Sequence, residues 1–246
     1  MRTFGLIGYP LAQSFSQKYF TQKFETEKID ARFLNFEIEN IDELPQLLES
    51  HPYIAGFSVT IPHKETVFKY LDELDDSARN VGACNAIKVT WQGKKPSLKG
   101  YNTDLIGFSE SLKPLLASHH TKALVLGTGG AAKAVAEALT LLNIEHRYVS
   151  RKAQTDYLSY DQLDKSTMQA HQIIVNCTPL GMFPNVDSSP DIPYQWTGSK
   201  HLFYDLTYNP EVTRFMQNGI DQGATAKNGL EMLHKQAEAA WEIWNS

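Results

Sequence analysis

Cysteine is scarce in this chain: there are two in 246 residues, Cys84 and Cys177, and they do not share a C-x-x-C spacing. That excludes a disulfide framework and a zinc site built on paired thiolates, and it fits a protein kept reduced in the cytoplasm. Long apolar runs are lacking too. A short apolar stretch follows Arg2, but Pro10, Gln13 and Ser14 interrupt it before it could form a signal-peptide core, and no later segment has the length of a membrane span. Nor is there an excess of positive charge. The 23 Lys and Arg are interspersed with 28 Asp and Glu for a net charge of -5, which leaves no basic surface for a phosphate backbone, so nucleic acid is not an expected partner. His51, His63, His119, His120 and the other histidines show no ligand spacing, and no metal is implied. What the chain does have is 42% hydrophobic and 11% aromatic residues, enough to fill one large core or two modest ones.

The apolar periodicity alternates between strand and helix. Phe4–Gly8 reads as a strand ending in a turn at Tyr9-Pro10, followed by a helix to Phe24. Phe33–Ile38 reads as a second strand, Ile41–Leu48 as a helix started by Asn40 or Asp42, and Phe57–Ile61 as a third strand stopped by Pro62. An amphipathic helix is predicted over Lys64–Leu74 and a strand over Ala86–Thr90, giving a largely parallel α/β unit. Asn102 to Leu116 has the spacing of a connecting helix. Beyond it, Lys122–Leu126 is a strand, an alanine-rich helix follows to about Leu142, and His146–Ser150 is the next strand. Further strands are predicted at Gln172–Cys177 and Leu202–Leu206, a long surface loop over Pro184–Ser199, and a final helix over Gly229–Trp244.

Between the strand at Lys122–Leu126 and its helix lies Gly127-Thr128-Gly129-Gly130-Ala131. Glycines there allow a tight turn and let backbone N–H groups approach a pyrophosphate at the positive end of the helix, the arrangement of a dinucleotide-binding β-α-β unit. The second strand ends at Ser150-Arg151-Lys152, where an enzyme using NAD usually carries an acid for the ribose hydroxyls. A carboxylate would repel a 2′-phosphate, whereas the planar fork of Arg151 and the charge of Lys152 suit it, so NADP(H) is the expected cofactor.

A set of separated motifs then carries a resemblance. Ser14-Phe15-Ser16 after Gly8-Tyr9-Pro10, Ser58 to Glu65, Gly82 to Ala86, Gly100 to Asp104, Gly127 to Ala131, Asn176 to Met182, Tyr204 to Pro210, and Asn228 to Leu233 with Gln236 together resemble shikimate dehydrogenases, in the family's order and over almost the whole chain. The resemblance implies an α/β fold of two domains: an N-terminal substrate domain, 1–103 completed by a C-terminal helix 227–246, and a Rossmann-type NADP-binding domain, 104–226, with an interdomain cleft that closes to exclude water. It implies an NADP-dependent, reversible reduction of 3-dehydroshikimate to shikimate in aromatic amino-acid biosynthesis, with Lys64 and Asp104 as the catalytic acid–base pair. A quinate/shikimate dehydrogenase and a non-catalytic NADP-binding sensor on the same fold are the alternatives. The partner would be the small-molecule substrate; monomer and homodimer are both open.

The same resemblance assigns Ser14, Ser16, Thr60, Asn85, Tyr208 and Gln236 to the substrate along with Lys64 and Asp104, the two serines at its carboxylate. Short polar groups of this kind suit a polyhydroxylated acid, since a substrate lacking a hydroxyl would leave a buried partner unpaired. Ser14 and Ser16 have another use available, as caps of the helix after Pro10, and Asn85 as a turn residue. Around the cofactor the resemblance places Gly127, Thr128, Gly129, Gly130, Ala131, Ser150, Arg151, Lys152, Thr178, Leu206, Gly229 and Met232. The chain departs from the family at Glu231, commonly a glycine, and at Thr155, where a further basic residue would extend the 2′-phosphate clamp.

Overall fold

The computed structural model describes residues 1–11, 14–152 and 157–246. They group into two compact units, Met1–Thr103 with Ala237–Ser246, and Asp104–Gln236.

In the first unit the chain runs β1 (Arg2–Gly8), α1 (Phe15–Thr26), β2 (Ala31–Glu37), α2 (Leu44–Ser50), β3 (Ile54–Val59), α3 (His63–Thr66), β4 (Glu73–Leu74), α4 (Asp76–Val81), β5 (Ala86–Gln92) and β6 (Lys95–Tyr101). These strands form a six-stranded sheet in the order β2-β1-β3-β5-β6-β4. β1 lies parallel to β2 and β3, but β5 is antiparallel to both β3 and β6, so the sheet is mixed rather than largely parallel. The sequence reading closed this half at Thr90 and missed the β5–β6 hairpin. Its turn carries a single glycine, Gly93, at φ +62°, and β6 is too polar to show a strand period.

The predicted helix over Lys64–Leu74 is also corrected. α3 makes one turn, a 3-10 turn follows at Val67–Tyr70, and the chain then extends. Pairing with the sheet overrides helical spacing: Asp72 N donates to Leu98 O at 2.9 Å and Leu98 N to the Asp72 carboxylate at 2.8 Å. One face of the sheet is covered by an aromatic cluster in which Phe4, Phe20, Phe24 and Phe33 meet Trp241 and Trp244. Gly56 makes room for Trp244, since a Cβ there would sit 2.4 Å from the indole ring.

The second unit begins within α5 (Thr103–Leu112) and continues β7 (Lys122–Leu126), α6 (Gly130–Leu141), β8 (Glu145–Ser150), β9 (Tyr157–Ser159), α7 (Lys165–Ala170), β10 (Ile173–Asn176), β11 (Leu202–Asp205), α8 (Arg214–Ile220) and β12 (Thr225–Lys227). Its sheet has the order β12-β11-β10-β7-β8-β9 and every pairing is parallel. Parallel strands covered on both faces read as continuous apolar runs, which is why Ala123–Leu126 and Ile173–Val175 are wholly buried and were readable from sequence. The stretch Pro184–Ser199 is not simply a surface loop. Ile192 is buried in the core, and Tyr194, in a 3-10 turn, stacks on Phe203 with ring centroids 6.0 Å apart. The last helix, α9 (Leu230–Asn245), divides at Gln236: its first two turns group with the second unit and the remainder with the first.

Candidate active site

In the first unit the expected substrate residues sit at the carboxyl ends of β1 and β3 and around Asn85. Ser14 caps α1, its hydroxyl accepting from Gln17 N at 3.1 Å, and Ser16 is half-buried in the first turn. The capping role therefore exists, and a serine hydroxyl that accepts one bond keeps its proton for another. Thr60 follows β3, close over Gly8, where a Cβ would lie 2.4 Å from its methyl. Lys64 lies in α3, a segment anchored on both sides: the ring Nε2 of buried His63 bonds Ile38 O at 2.8 Å, and Lys64 O accepts from Cys84 N at 2.7 Å.

Asn85 ties this region together. Its backbone O accepts from Val59 N at 2.8 Å and its N donates to Tyr101 O at 3.0 Å. Its side-chain Oδ1 accepts from Thr103 N at 2.6 Å and Thr103 Oγ1 at 3.2 Å. Asn102 is fixed as well, Nδ2 to Ala83 O at 2.8 Å and N to Ser77 Oγ at 3.0 Å. The chain is thus held rigidly up to Asp104, the next residue, whose side chain is buried in the first turn of α5. Cys84 is buried alongside, with its thiol bonded to Ala86 O, and burial pushes it up to about 12, so it is an inert packing residue.

In the second unit β7 ends at Gly127, whose φ of +110° favours glycine. Gly129 is the N-cap of α6 and has nothing within 4 Å of where a Cβ would stand. No side chain caps this 12-residue helix and no acid occupies its first turn, so nothing on the helix itself competes with an anion for the leading N–H groups. Ala132, Ala134 and Ala136 are buried, which lets α6 lie close to the sheet. β8 ends at Ser150, whose hydroxyl bonds Lys152 O, with Arg151 and Lys152 exposed beyond it. An open glycine cradle followed by two exposed cations at the neighbouring strand end is a donor set that fits a dinucleotide with a 2′-phosphate. Thr155 lies outside the described residues.

Leu206 follows β11 directly, and Thr178 lies two residues beyond the end of β10. Gly229 comes so close to Leu206 that a Cβ would lie 2.1 Å from its carbonyl oxygen, and Gly229 N bonds Thr207 O at 3.0 Å. Met232 is buried, Tyr208 exposed, and the amide of Gln236 bonds Leu233 O at 2.9 Å within its own helix. Glu231 is held by Lys227 at 2.6 Å and Lys235 at 3.8 Å, an ion pair in place of the family's glycine. Sequence reasoning assigned no part to Asn176 and Asp205, the last residues of β10 and β11, or to Thr103. The signal was present as Asn176-x-Thr178 and Asp205-x-Thr207, the spacing at which such side chains bond the backbone two residues on.

Residues 6–87 match the model of the shikimate dehydrogenase substrate binding domain. A curated relative from Desulforamulus reducens, shikimate dehydrogenase (NADP(+)), is 36% identical, with 98% of this chain and 88% of the relative covered. The chain belongs to the shikimate dehydrogenase family. Two solved shikimate dehydrogenase structures match the fold. One is a chorismate mutase/shikimate 5-dehydrogenase fusion from Clostridium acetobutylicum, with a TM-score of 0.88, 34% identity, and coverage of 100% of this chain and 91% of that one. The other is shikimate 5-dehydrogenase from Thermus thermophilus in complex with NADP(H) and shikimate, with a TM-score of 0.85, 28% identity, and coverage of 99% and 93%. As a member of this family, the chain has an α/β fold in which the mixed sheet carries the family's substrate-domain sequence and the parallel sheet its Rossmann-type counterpart.

Proposed function

We propose that this chain is an NADP-dependent shikimate dehydrogenase, an oxidoreductase that reversibly reduces 3-dehydroshikimate to shikimate. The similarity of nearly the whole chain to NADP-dependent shikimate dehydrogenases carries this reading, together with the retention of Lys64 and Asp104 in the motifs expected of them. The first unit carries most of the groups assigned to the substrate, and the second carries those assigned to NADP(H). Gly127 to Ala131 and the leading N–H groups of α6 hold the pyrophosphate, Arg151 and Lys152 the 2′-phosphate, and Thr178, Leu206, Gly229 and Met232 the nicotinamide end.

When bound, NADPH supplies a hydride to the substrate's ketone carbon. The Lys64 ammonium gives the ketone oxygen its proton as that carbon is reduced, so hydride and proton together convert the ketone to a secondary alcohol; in reverse the Lys64 amine takes the hydroxyl proton. Asp104 orients the lysine and hydrogen-bonds the reacting oxygen. Ser14 and Ser16 bind the substrate carboxylate, and Thr60, Asn85, Tyr208 and Gln236 its hydroxyls. In the reductive direction the enzyme serves aromatic amino-acid biosynthesis. Free thiols at Cys84 and Cys177 suit a cytoplasmic location, and among the described residues no helix is long and apolar enough to cross a membrane.

The test is absorbance at 340 nm with shikimate and NADP, run in parallel with quinate and with NAD, for the wild type, Lys64→Ala and Arg151→Ala. Turnover with shikimate and NADP that Lys64→Ala abolishes is the expected result, with Arg151→Ala narrowing the preference for NADP over NAD by about tenfold. Turnover with quinate alone, or with NAD alone, would overturn the specificity, and silence with every pair would leave a nucleotide-binding sensor.

A further inference from the structure

The carboxylate of Asp205 lies fully buried at the end of β11 and receives hydrogen bonds from the end of β10, from the residues that follow β11 and from the start of α8. Asn176 Nδ2, at the end of β10, donates to Oδ1 at 3.1 Å; Thr207 N donates to the same oxygen at 2.9 Å; Thr213 Oγ1 donates to Oδ2 at 2.6 Å. Asn176 and Asp205 are register partners, and Leu206 N bonds Asn176 O at 3.0 Å. The network extends outward from both. Asn176 Oδ1 accepts from Thr178 N at 3.0 Å and Thr178 Oγ1 at 2.7 Å, while Asn176 Nδ2 reaches Leu180 O at 3.2 Å. On the other side, Thr207 O receives Gly229 N at 3.0 Å.

One acid therefore sets the positions of three stretches that leave or enter the sheet's carboxyl end, around Thr178, Leu206 and Gly229. We propose that Asp205 is a positioning residue for the nucleotide site, its buried carboxylate holding these three stretches in the arrangement that receives NADP. This rests on the reading of the second unit as the NADP-binding one. A carboxylate is needed because it accepts at both oxygens. Asparagine would keep the volume but put two donors where one acceptor was, so at least one of Asn176, Thr207 and Thr213 loses its bond. An apolar side chain at this position would accept from none of the three donors and would leave them buried and unpaired.

The experiment is calorimetric titration of the intact protein with NADP⁺ and, separately, with shikimate, for wild type, Asp205→Asn and a control, Ile174→Val. The control trims the buried core of the same unit without touching the network, and so lowers stability modestly. Asp205→Asn is expected to weaken NADP⁺ binding about tenfold and shikimate binding by clearly less, while Ile174→Val binds both as the wild type does. NADP⁺ binding by Asp205→Asn within about twofold of wild type, or equal weakening in the control, overturns the proposal. If Asp205→Asn does not fold, Thr213→Val removes one of the three bonds; it should weaken NADP⁺ about threefold, and wild-type affinity would overturn the proposal. A wild type that fails to bind NADP⁺ refutes the reading of this unit and the inference with it, whereas normal wild-type binding beside an unaffected Asp205→Asn refutes the inference alone.

Discussion

Each of the two units is built on a six-stranded sheet, yet they hold their candidate functional groups by different means. In the mixed sheet, Lys64 and the chain leading to Asp104 are fixed by side chains that reach across to backbone: His63 to Ile38, Asn85 to Thr103, Asn102 to Ala83. In the parallel sheet, the cradle at Gly127 and Gly129 is made by leaving side chains out, and the backbone itself presents the donors. A site that must place one ammonium needs anchors, and a site that must wrap a pyrophosphate needs room. The first should fail when an anchor is removed, and the glycine cradle of the second when an atom is added.

The largest effect is expected where the first unit is closed by its C-terminal helix. Trp244 is stacked on Phe4 at 5.0 Å, and its indole N–H donates to Ile87 O at 3.0 Å. Trp244→Ala should lower stability by about 4 kcal/mol, measured as the urea midpoint, through the cavity and the unpaired carbonyl together. If the units answer separately, shikimate binding is lost near the midpoint while NADP⁺ binding persists to higher urea. Next is Asn85→Ala, which strands the buried N–H of Thr103. A loss of about 2 kcal/mol is expected, with kcat falling further than that stability loss accounts for because Asp104 is the next residue. Gly129→Ala tests the opposite principle. Its φ of -76° accepts any residue and its surroundings are open, so stability should not change, but the added methyl stands where the pyrophosphate approaches and should weaken NADP⁺ by about tenfold or more. Wild-type affinity in this variant would break the contrast between the two sites.

The same contrast explains what could be read from sequence. Lys122–Leu126 was legible to the residue because a parallel strand buried on both faces is apolar throughout, and the glycines after it had a mechanism attached. The Lys64 segment is misread as a longer helix because Leu71 and Leu74 fit a helical period, whereas from Asp72 to Leu74 the chain is held by β6, a strand hidden by its own polarity. Lys64 and Asp104 themselves carry no local pattern that marks them as catalytic; they stood out through the resemblance alone. The anchors Asn85 and Asp205 show a further limit: their partners at Thr103 and Thr213 are set by tertiary placement, which spacing along the chain does not encode.

The smallest effect separates the units by pH rather than by mutation. Burial holds His120, His146 and His171, all in the second unit, below the ordinary histidine range, since the imidazolium is penalised away from water. As pH falls through about 6.5 the unfolded chain takes up protons that the folded unit resists, so their contribution is complete above that pH and declines below it toward the lower folded values. His171 is the most exposed to this argument although the least exposed to solvent of the three. Its Nδ1 bonds Thr167 O at 2.7 Å, which keeps the proton on that nitrogen, and Nε2 is buried with no partner among the described residues, so a second proton would be a donor with none of them to receive it. Asp205, raised by burial, acts in the opposite direction, gaining stability as it is protonated, but from a carboxylate's lower starting value. Urea midpoints followed by NADP⁺ binding at pH 7.5 and 5.5 should therefore fall with acid in the wild type, and fall less in His171→Phe. An equal fall in both would mean that His120 and His146 carry the acid response and that the orphaned nitrogen of His171 does not.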